Sequence, residues 1–212
     1  MVQALHDEGR RDGQAMDQAA VMAEFEAAGA LLRGHFILTS GLRSPVYLQC
    51  ARVLMDPARA GRLALALAAK LEGIQVDLVV SPAMGGILVG HELARALGVP
   101  SIFTERVDGK FTLRRGFAIP EGARVAVAED VVTTGMSTRE CMEVIRAHGG
   151  QVVAAACLVD RSGGRAQLGV PHVALMALDL PTYRPEDVPP ELAAIPPVKP
   201  GSRPGQAGPG GA

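Results

Sequence analysis

Between residues 76 and 178, short apolar runs alternate with segments of helical length, and no other feature limits the fold as much. The apolar runs fall at residues 76–80, 99–103, 124–128, 152–159 and 172–178. The run 124–128 is apolar at nearly every residue, as a strand covered on both faces must be. One intervening segment covers residues 87–97 and stops at Gly98, while another reaches His148 and stops at Gly149 and Gly150. Strands alternating with helices of this length predict an α/β fold with a mainly parallel sheet and right-handed crossovers. Ligands of such sheets sit beyond the carboxyl ends of the strands.

Upstream, Asp17 is placed to cap a helix whose apolar residues Val21, Phe25, Ala28 and Leu32 recur at three and four until Gly34. Extended runs at residues 36–39 and 46–50 follow. Asp56 then Pro57 signals a second helix, with Leu63, Leu67 and Leu71 on one face. These readings divide the chain into a polar arm (1–16), one domain (17–180) and a Pro/Gly-rich tail (181–212), with disorder expected after Arg203.

Composition narrows the function classes. An apolar content of 48% in 212 residues supports one core without disulfides or a structural metal. Cys50, Cys141 and Cys157 form an odd set with no C-x-x-C pair, so they read as reduced, buried thiols. A formal net charge of -1 without a long basic run argues against a nucleic-acid surface, while leaving small anions open. No apolar run is long enough to span a membrane, and the early acids Asp7, Glu8 and Asp12 do not suit a secretion signal. A cytoplasmic location is expected.

The segment Arg124-Val-Ala-Val-Ala-Glu129-Asp130-Val131-Val132-Thr133-Thr134-Gly135-Met136-Ser137 carries the chemistry. Amides and hydroxyls at a helix N-terminus form an anion site, so Thr133, Thr134, Gly135 and Ser137 suit a terminal phosphate. Glu129 and Asp130 would repel that phosphate, but suit sugar hydroxyls and a positive sugar carbon. The plainer reading is a capped helix after a turn, although capping does not call for two acids after a doubly buried strand. Neither G-x-G-x-x-G nor G-x-x-x-x-G-K-[ST] is present. Three further segments bear on the site. Ser81-Pro-Ala-Met-Gly-Gly is a turn at a strand end. Residues 105–116 hold Arg106, Lys110, Arg114 and Arg115, are poorly patterned for a fixed element, and read as a lid against the plainer reading of a solvated hairpin. Arg161 follows the run 152–159, where a planar guanidinium can grip a carboxylate or an amide edge.

With its acidic pair and Thr/Gly/Ser turn, the chain resembles the type I phosphoribosyltransferases. Gly34-His-Phe-Ile-Leu-Thr-Ser-Gly-Leu-Arg-Ser-Pro, Phe103-Thr-Glu-Arg, Leu113-Arg-Arg-Gly-Phe and Val159-Asp-Arg extend the likeness to the branch that takes orotate as acceptor. The resemblance implies a small N-terminal hood over the sheet and transfer of a phosphoribosyl group from phosphoribosyl diphosphate to orotate with Mg2+. It assigns the donor to Arg106, Lys110, Met84, Gly85 and the whole run Glu129, Asp130, Val131, Val132, Thr133, Thr134, Gly135, Met136, Ser137. Orotate falls to Thr133 and Arg161, and the catalytic set is Asp130, Glu129, Lys110 and Arg106. No protein group is assigned as a direct metal ligand. A homodimer whose lid reaches the neighbouring subunit is also implied.

The chain departs from the family at Thr39, where lysine is common and Arg43 is the candidate substitute. It departs again at Val107, where a second lid cation is common, and between residues 188 and 192, which lack Cys-Pro-x-Cys. His35 and His91 read as structural, and His6 lies in the arm. Two rivals stay open: a phosphoribosyltransferase for another base, and a regulator that senses the donor. The second usually adds a DNA-binding domain, for which the acidic segment before Gly34 is too short.

Overall fold

The computed structural model describes residues 16–38 and 41–200. Thr39, almost all of the arm and the segment after Arg203 lie outside the described residues.

Helix α1 (Gln18–Ala27) begins as expected, with the Asp17 carboxylate accepting from the Ala20 amide at 2.8 Å and Val21 and Phe25 fully buried. It ends earlier than the apolar spacing suggests. Gly29 takes a left-handed φ of +58° and turns the chain, so Leu32 belongs to strand β1 (Leu31–Ile37) instead of the helix. There Leu31 and Leu32 pair with Leu48 and Tyr47 of the antiparallel strand β2 (Arg43–Leu48). This two-stranded hairpin is the hood. Cys50, expected to end a strand, opens the short helix α2 (Cys50–Leu54).

Asp56 caps α3 (Pro57–Ala69) through the Ala58 and Arg59 amides, and Pro57 supplies the preset first turn. Leu63 and Leu67 are fully buried, and Leu71 just past the helix is nearly so. The chain continues through β3 (Leu78–Pro82), α4 (Gly86–Leu97), β4 (Ser101–Val107), β5 (Lys110–Leu113), β6 (Arg124–Val132), α5 (Met136–Ala147), β7 (Gln151–Asp160) and β8 (His172–Ala177). The main sheet runs β5-β4-β3-β6-β7-β8. All of its pairings are parallel except β4 with β5.

The basic stretch 105–116, expected without a fixed element, instead forms most of a β-hairpin in which Arg106 pairs with Phe111 and Val107 with Lys110. Asp108 and Gly109 both have positive φ, the geometry of a two-residue hairpin turn, and Asp-Gly is a sequence that favours it.

Strand alternation separates two cores. Val79 and Ala128 pack with α3 and α4, while Val80, Val125 and Val127 face Cys141, Met142 and Ile145 of α5. Val125 to Ala128 are wholly buried, as a strand covered on both faces requires. All three cysteines are free and buried.

After β8 the chain turns back onto the hood. Tyr183 and Arg43 exchange backbone hydrogen bonds at 2.8 and 2.9 Å, and Val198 bonds to Ile37 and His35. A single turn Pro185–Asp187 and a short α6 (Pro190–Ala193) lie between these contacts. Among the described residues, no helix is long and apolar enough to cross a membrane.

Candidate active site

The carboxyl ends of β6 and β7 open into a cleft of about 850 Å³, bounded on one side by the hood and by the segment after β8. Asp130, Val131, Thr133 and Thr134 line it from β6 and the loop that follows, and Arg161 and Arg165 line it from the end of β7. The parallel pairing of β6 with β7 explains the juxtaposition. Val132 lies beside Asp160, and the Arg161 amide donates to the Val132 carbonyl at 2.7 Å.

The two acids differ in setting. Alternation along β6 sends Asp130 to the side of Ala126 and Ala128, into the cleft, and Glu129 to the side of Val125 and Val127. Glu129 is only 9% exposed, and its Oε2 has no hydrogen-bond partner among the described residues. Burial, with the Asp130 charge next, pushes its carboxyl up to about 9. Burial also raises Asp130, although its carboxylate accepts from the Val131 amide at 2.8 Å.

The loop from Thr133 to Ser137 meets α5 head-on. Gly135 caps the helix at φ +72°, and the Thr134 hydroxyl accepts from the Met136 amide at 3.3 Å. The remaining first-turn amides have no intrahelical acceptor, an arrangement of free donors of the kind that suits an anion. Thr133, Thr134 and Met136 are exposed, Ser137 is half-buried, and Val132 offers only its backbone.

The turn after β3 closes the other side of the acid pair. Its Ala83-Met84 peptide is cis, and Met84 stands exposed. A Cβ on Gly85 would come within 2.6 Å of the Asp130 carboxylate, so only glycine fits against that acid.

Arg106 and Lys110 do not enter the cleft of their own chain. The Arg106 guanidinium donates to Glu140 at 2.6 Å and lies 4.1 Å over the Phe111 ring. Lys110 lines a groove of about 420 Å³ between the β4–β5 hairpin and α5, beside Glu140 and Glu143. Arg115 pairs with Glu105 at 2.7 Å.

Burial pulls the Arg161 guanidinium below its ordinary value, leaving a cation in the cleft with no ion pair among the described residues. Arg43 is not part of the cleft lining; its backbone holds Tyr183. His35 is buried, with Nδ1 2.9 Å from the Ile195 carbonyl, in keeping with a structural role.

Sequence reasoning missed several lining residues. Tyr47, Leu38 and Leu42 of the hood, Arg165, and Leu180, Thr182 and Lys199 from the segment after β8 all line the cleft. Only the Gly163-Gly164 pair before Arg165 hinted at a loop there, and Lys199 among prolines gave no periodic signal.

Residues 56–168 match the family model of the phosphoribosyl transferase domain. The chain is 63% identical over 191 residues to the orotate phosphoribosyltransferase of Rhizorhabdus wittichii, covering 89% of this chain and 97% of that protein. It is 60% identical over 190 residues to the orotate phosphoribosyltransferase of Phenylobacterium zucineum, covering 89% and 98% respectively. The crystal structure of orotate phosphoribosyltransferase from Aeropyrum pernix is similar with a TM-score of 0.61 and 33% identity, over 73% of this chain and 91% of that one. With the acid pair, the loop at the α5 N-terminus and the hooded cleft at the ends of a parallel sheet, this chain belongs to the orotate phosphoribosyltransferase family, within the type I phosphoribosyltransferase fold.

Proposed function

We propose that the cleft transfers the phosphoribosyl group of phosphoribosyl diphosphate to orotate, giving orotidine 5′-monophosphate and diphosphate. The chain is thereby a pentosyltransferase of pyrimidine biosynthesis. One observation carries the reading: a single cleft joins Asp130 and the Thr133–Thr134 loop to the Arg161 cation under an apolar hood.

In this reading the amides and hydroxyls from Thr133 to Ser137 hold the donor's sugar phosphate at the α5 N-terminus. Asp130 and Glu129 accept from ribose hydroxyls and stabilise the positive charge that develops on the sugar as diphosphate departs. The turn with Met84 and Gly85 meets the diphosphate through its backbone. Arg161 and Thr133 hold orotate, the guanidinium giving a charge-assisted contact of about 1.5–3 kcal/mol. Orotate is already an anion, so the rate comes from positioning and electrostatics and needs little proton transfer.

The residues present fit Mg2+. Glu129 and Asp130 are hard oxygen donors, and the buried Glu129 Oε2 has no hydrogen-bond partner among the described residues, so an acceptor is left over for a ligand. Among the described residues no group of three or more His, Cys, Asp or Glu could hold a metal alone, so substrate oxygens and water would complete the shell. When bound, the ion would neutralise charge on the diphosphate.

Arg106 and Lys110 serve as lid cations to a neighbouring subunit's diphosphate in a homodimer. Their place on a projecting hairpin, outside their own cleft, supports this. Three free thiols support a reducing, cytoplasmic location. The catalytic domain spans residues 17–180, with the segment 181–200 bound to its hood.

The test is a spectrophotometric assay of orotate consumption with donor and magnesium each omitted in turn. Consumption requiring both is expected. Turnover of another base from a panel, with orotate untouched, would move the acceptor assignment. Asp130→Asn is expected to lower kcat by roughly 100-fold or more, and Arg161→Ala to raise the KM for orotate by about 10- to 100-fold.

A further inference from the structure

The segment after β8 is bonded to both outer edges of the hood. At the β2 edge, Arg43 and Tyr183 exchange backbone hydrogen bonds at 2.8 and 2.9 Å. At the β1 edge, the Val198 amide donates to the His35 carbonyl and the Ile37 amide to the Val198 carbonyl, both at 2.8 Å. Between these points the His35 ring is 2.9 Å from the Ile195 carbonyl and Leu192 is buried. The strap therefore straddles the hairpin, placing Leu180 and Thr182 in the cleft near one edge and Lys199 near the other. Lys199 directly follows the paired Val198, so the ladder fixes where its side chain starts.

The charges of the cleft are uneven. Asp130 stands at its β6 wall, and Arg161, Arg165 and Lys199 contribute three cations. None of the three makes an ion pair with an acid among the described residues. The α5 amides already answer a sugar phosphate, on the loop side. Lys199 belongs instead to the hood wall, with Leu38 and Leu42, whose apolar side chains suit the face of a flat ring. An anion carried by such a ring meets the cation that its own wall presents.

We propose that the strap is part of the acceptor site and that the Lys199 ammonium pairs with the carboxylate of the bound pyrimidine. The segment beyond the parallel sheet thus selects an acid-bearing ring over a neutral one. This inference rests on the phosphoribosyl-transfer reading above.

The test compares full-length wild type with Lys199→Ala, Lys199→Gln and Lys199→Arg, measuring kcat and the KM of each substrate at fixed magnesium. Lys199 is exposed, so the low end of a charge-assisted contact applies, and the Ala and Gln variants are expected to raise the KM for orotate about ten-fold. Their kcat and donor KM stay within about two-fold, and the Arg variant restores the orotate KM. An unchanged orotate KM overturns the proposal, as does a rise confined to the donor, which would assign Lys199 to a phosphate. Wild type that does not consume orotate at all strikes the transfer reading before any variant is made.

Discussion

Glu129 and Asp130 are neighbours in sequence but differ in exposure to the cleft, so the acid pair is not two copies of one function. Asp130 lines the cleft, and Glu129 is almost enclosed on the α5 side. The expected consequence is a ranking: Asp130→Asn lowers kcat by at least about ten-fold more than Glu129→Gln, because Asp130 lines the cleft directly and Glu129 stands behind it, so the developing sugar charge meets Asp130 first. Steady-state kinetics of the two variants decides it, and equal losses would contradict the geometry. Gly85 supplies a second test of the same carboxylate. Its missing Cβ leaves the space that Asp130 occupies, so Gly85→Ala must displace that carboxylate by a substantial part of an ångström. A loss of kcat of about 10- to 100-fold with little change in melting temperature is expected, since misplacing a reacting group by about 1 Å costs on that scale.

At the scale of elements, the β4–β5 hairpin shows why some of the fold was legible and some was not. The parallel sheet announced itself because doubly buried strands leave uninterrupted apolar runs such as residues 124–128. Capped helices were equally plain at Asp17 and Asp56, where the capping bonds form as the residue types require. The hairpin carries its charges on an exposed edge, and polarity hid the pairing even though Asp108-Gly109 was present as a turn signal. Early helix exit at Gly29 was masked for the opposite reason, since Leu31 and Leu32 suit a helix face as well as a strand and only pairing with β2 decides between them. The site divided along the same line. Residues on the β6 loop and Arg161 follow from local sequence, whereas Tyr47, Arg165 and Lys199 reach the cleft through tertiary contacts that no local pattern encodes. The hairpin also bears a prediction of its own. Arg106 is held by Glu140 across to α5, so the lid cation must leave that partner before it can meet a diphosphate. A half-exposed pair of this kind is worth about 0.2–1 kcal/mol, so Glu140→Gln should tighten diphosphate binding by roughly 1.5- to 5-fold. It should also speed amide exchange at Gly109 and Lys110, which mass spectrometry reads directly.

For the whole molecule, stability in acid and assembly can be tested separately. Asp77 at the base of the sheet accepts from the Arg124 side chain and backbone, and these bonds lower its carboxyl from the ordinary 3.8 to about 2. A depressed folded-state value means the unfolded chain binds the proton first, so the pair's contribution is complete above about pH 4 and vanishes as pH falls through about 2. The melting temperatures of wild type and Asp77→Asn should therefore differ by a constant amount above pH 4 and converge below it; a gap that widens in acid would reverse the assignment. Assembly turns on the position of Arg106 and Lys110 outside the cleft of their own chain. If each cleft is completed by the neighbouring hairpin, a subunit lacking the acid and a subunit lacking the lid cation repair one another. Asp130→Asn and Lys110→Ala proteins, each nearly inactive alone, should on mixing and subunit exchange recover about a quarter of wild-type activity, because half the dimers are mixed and each mixed dimer holds one intact site. Lids that act within their own chain would leave that intact site impossible, since every chain in the mixture would carry one defect in its own cleft, and activity would stay at the sum of the two variants.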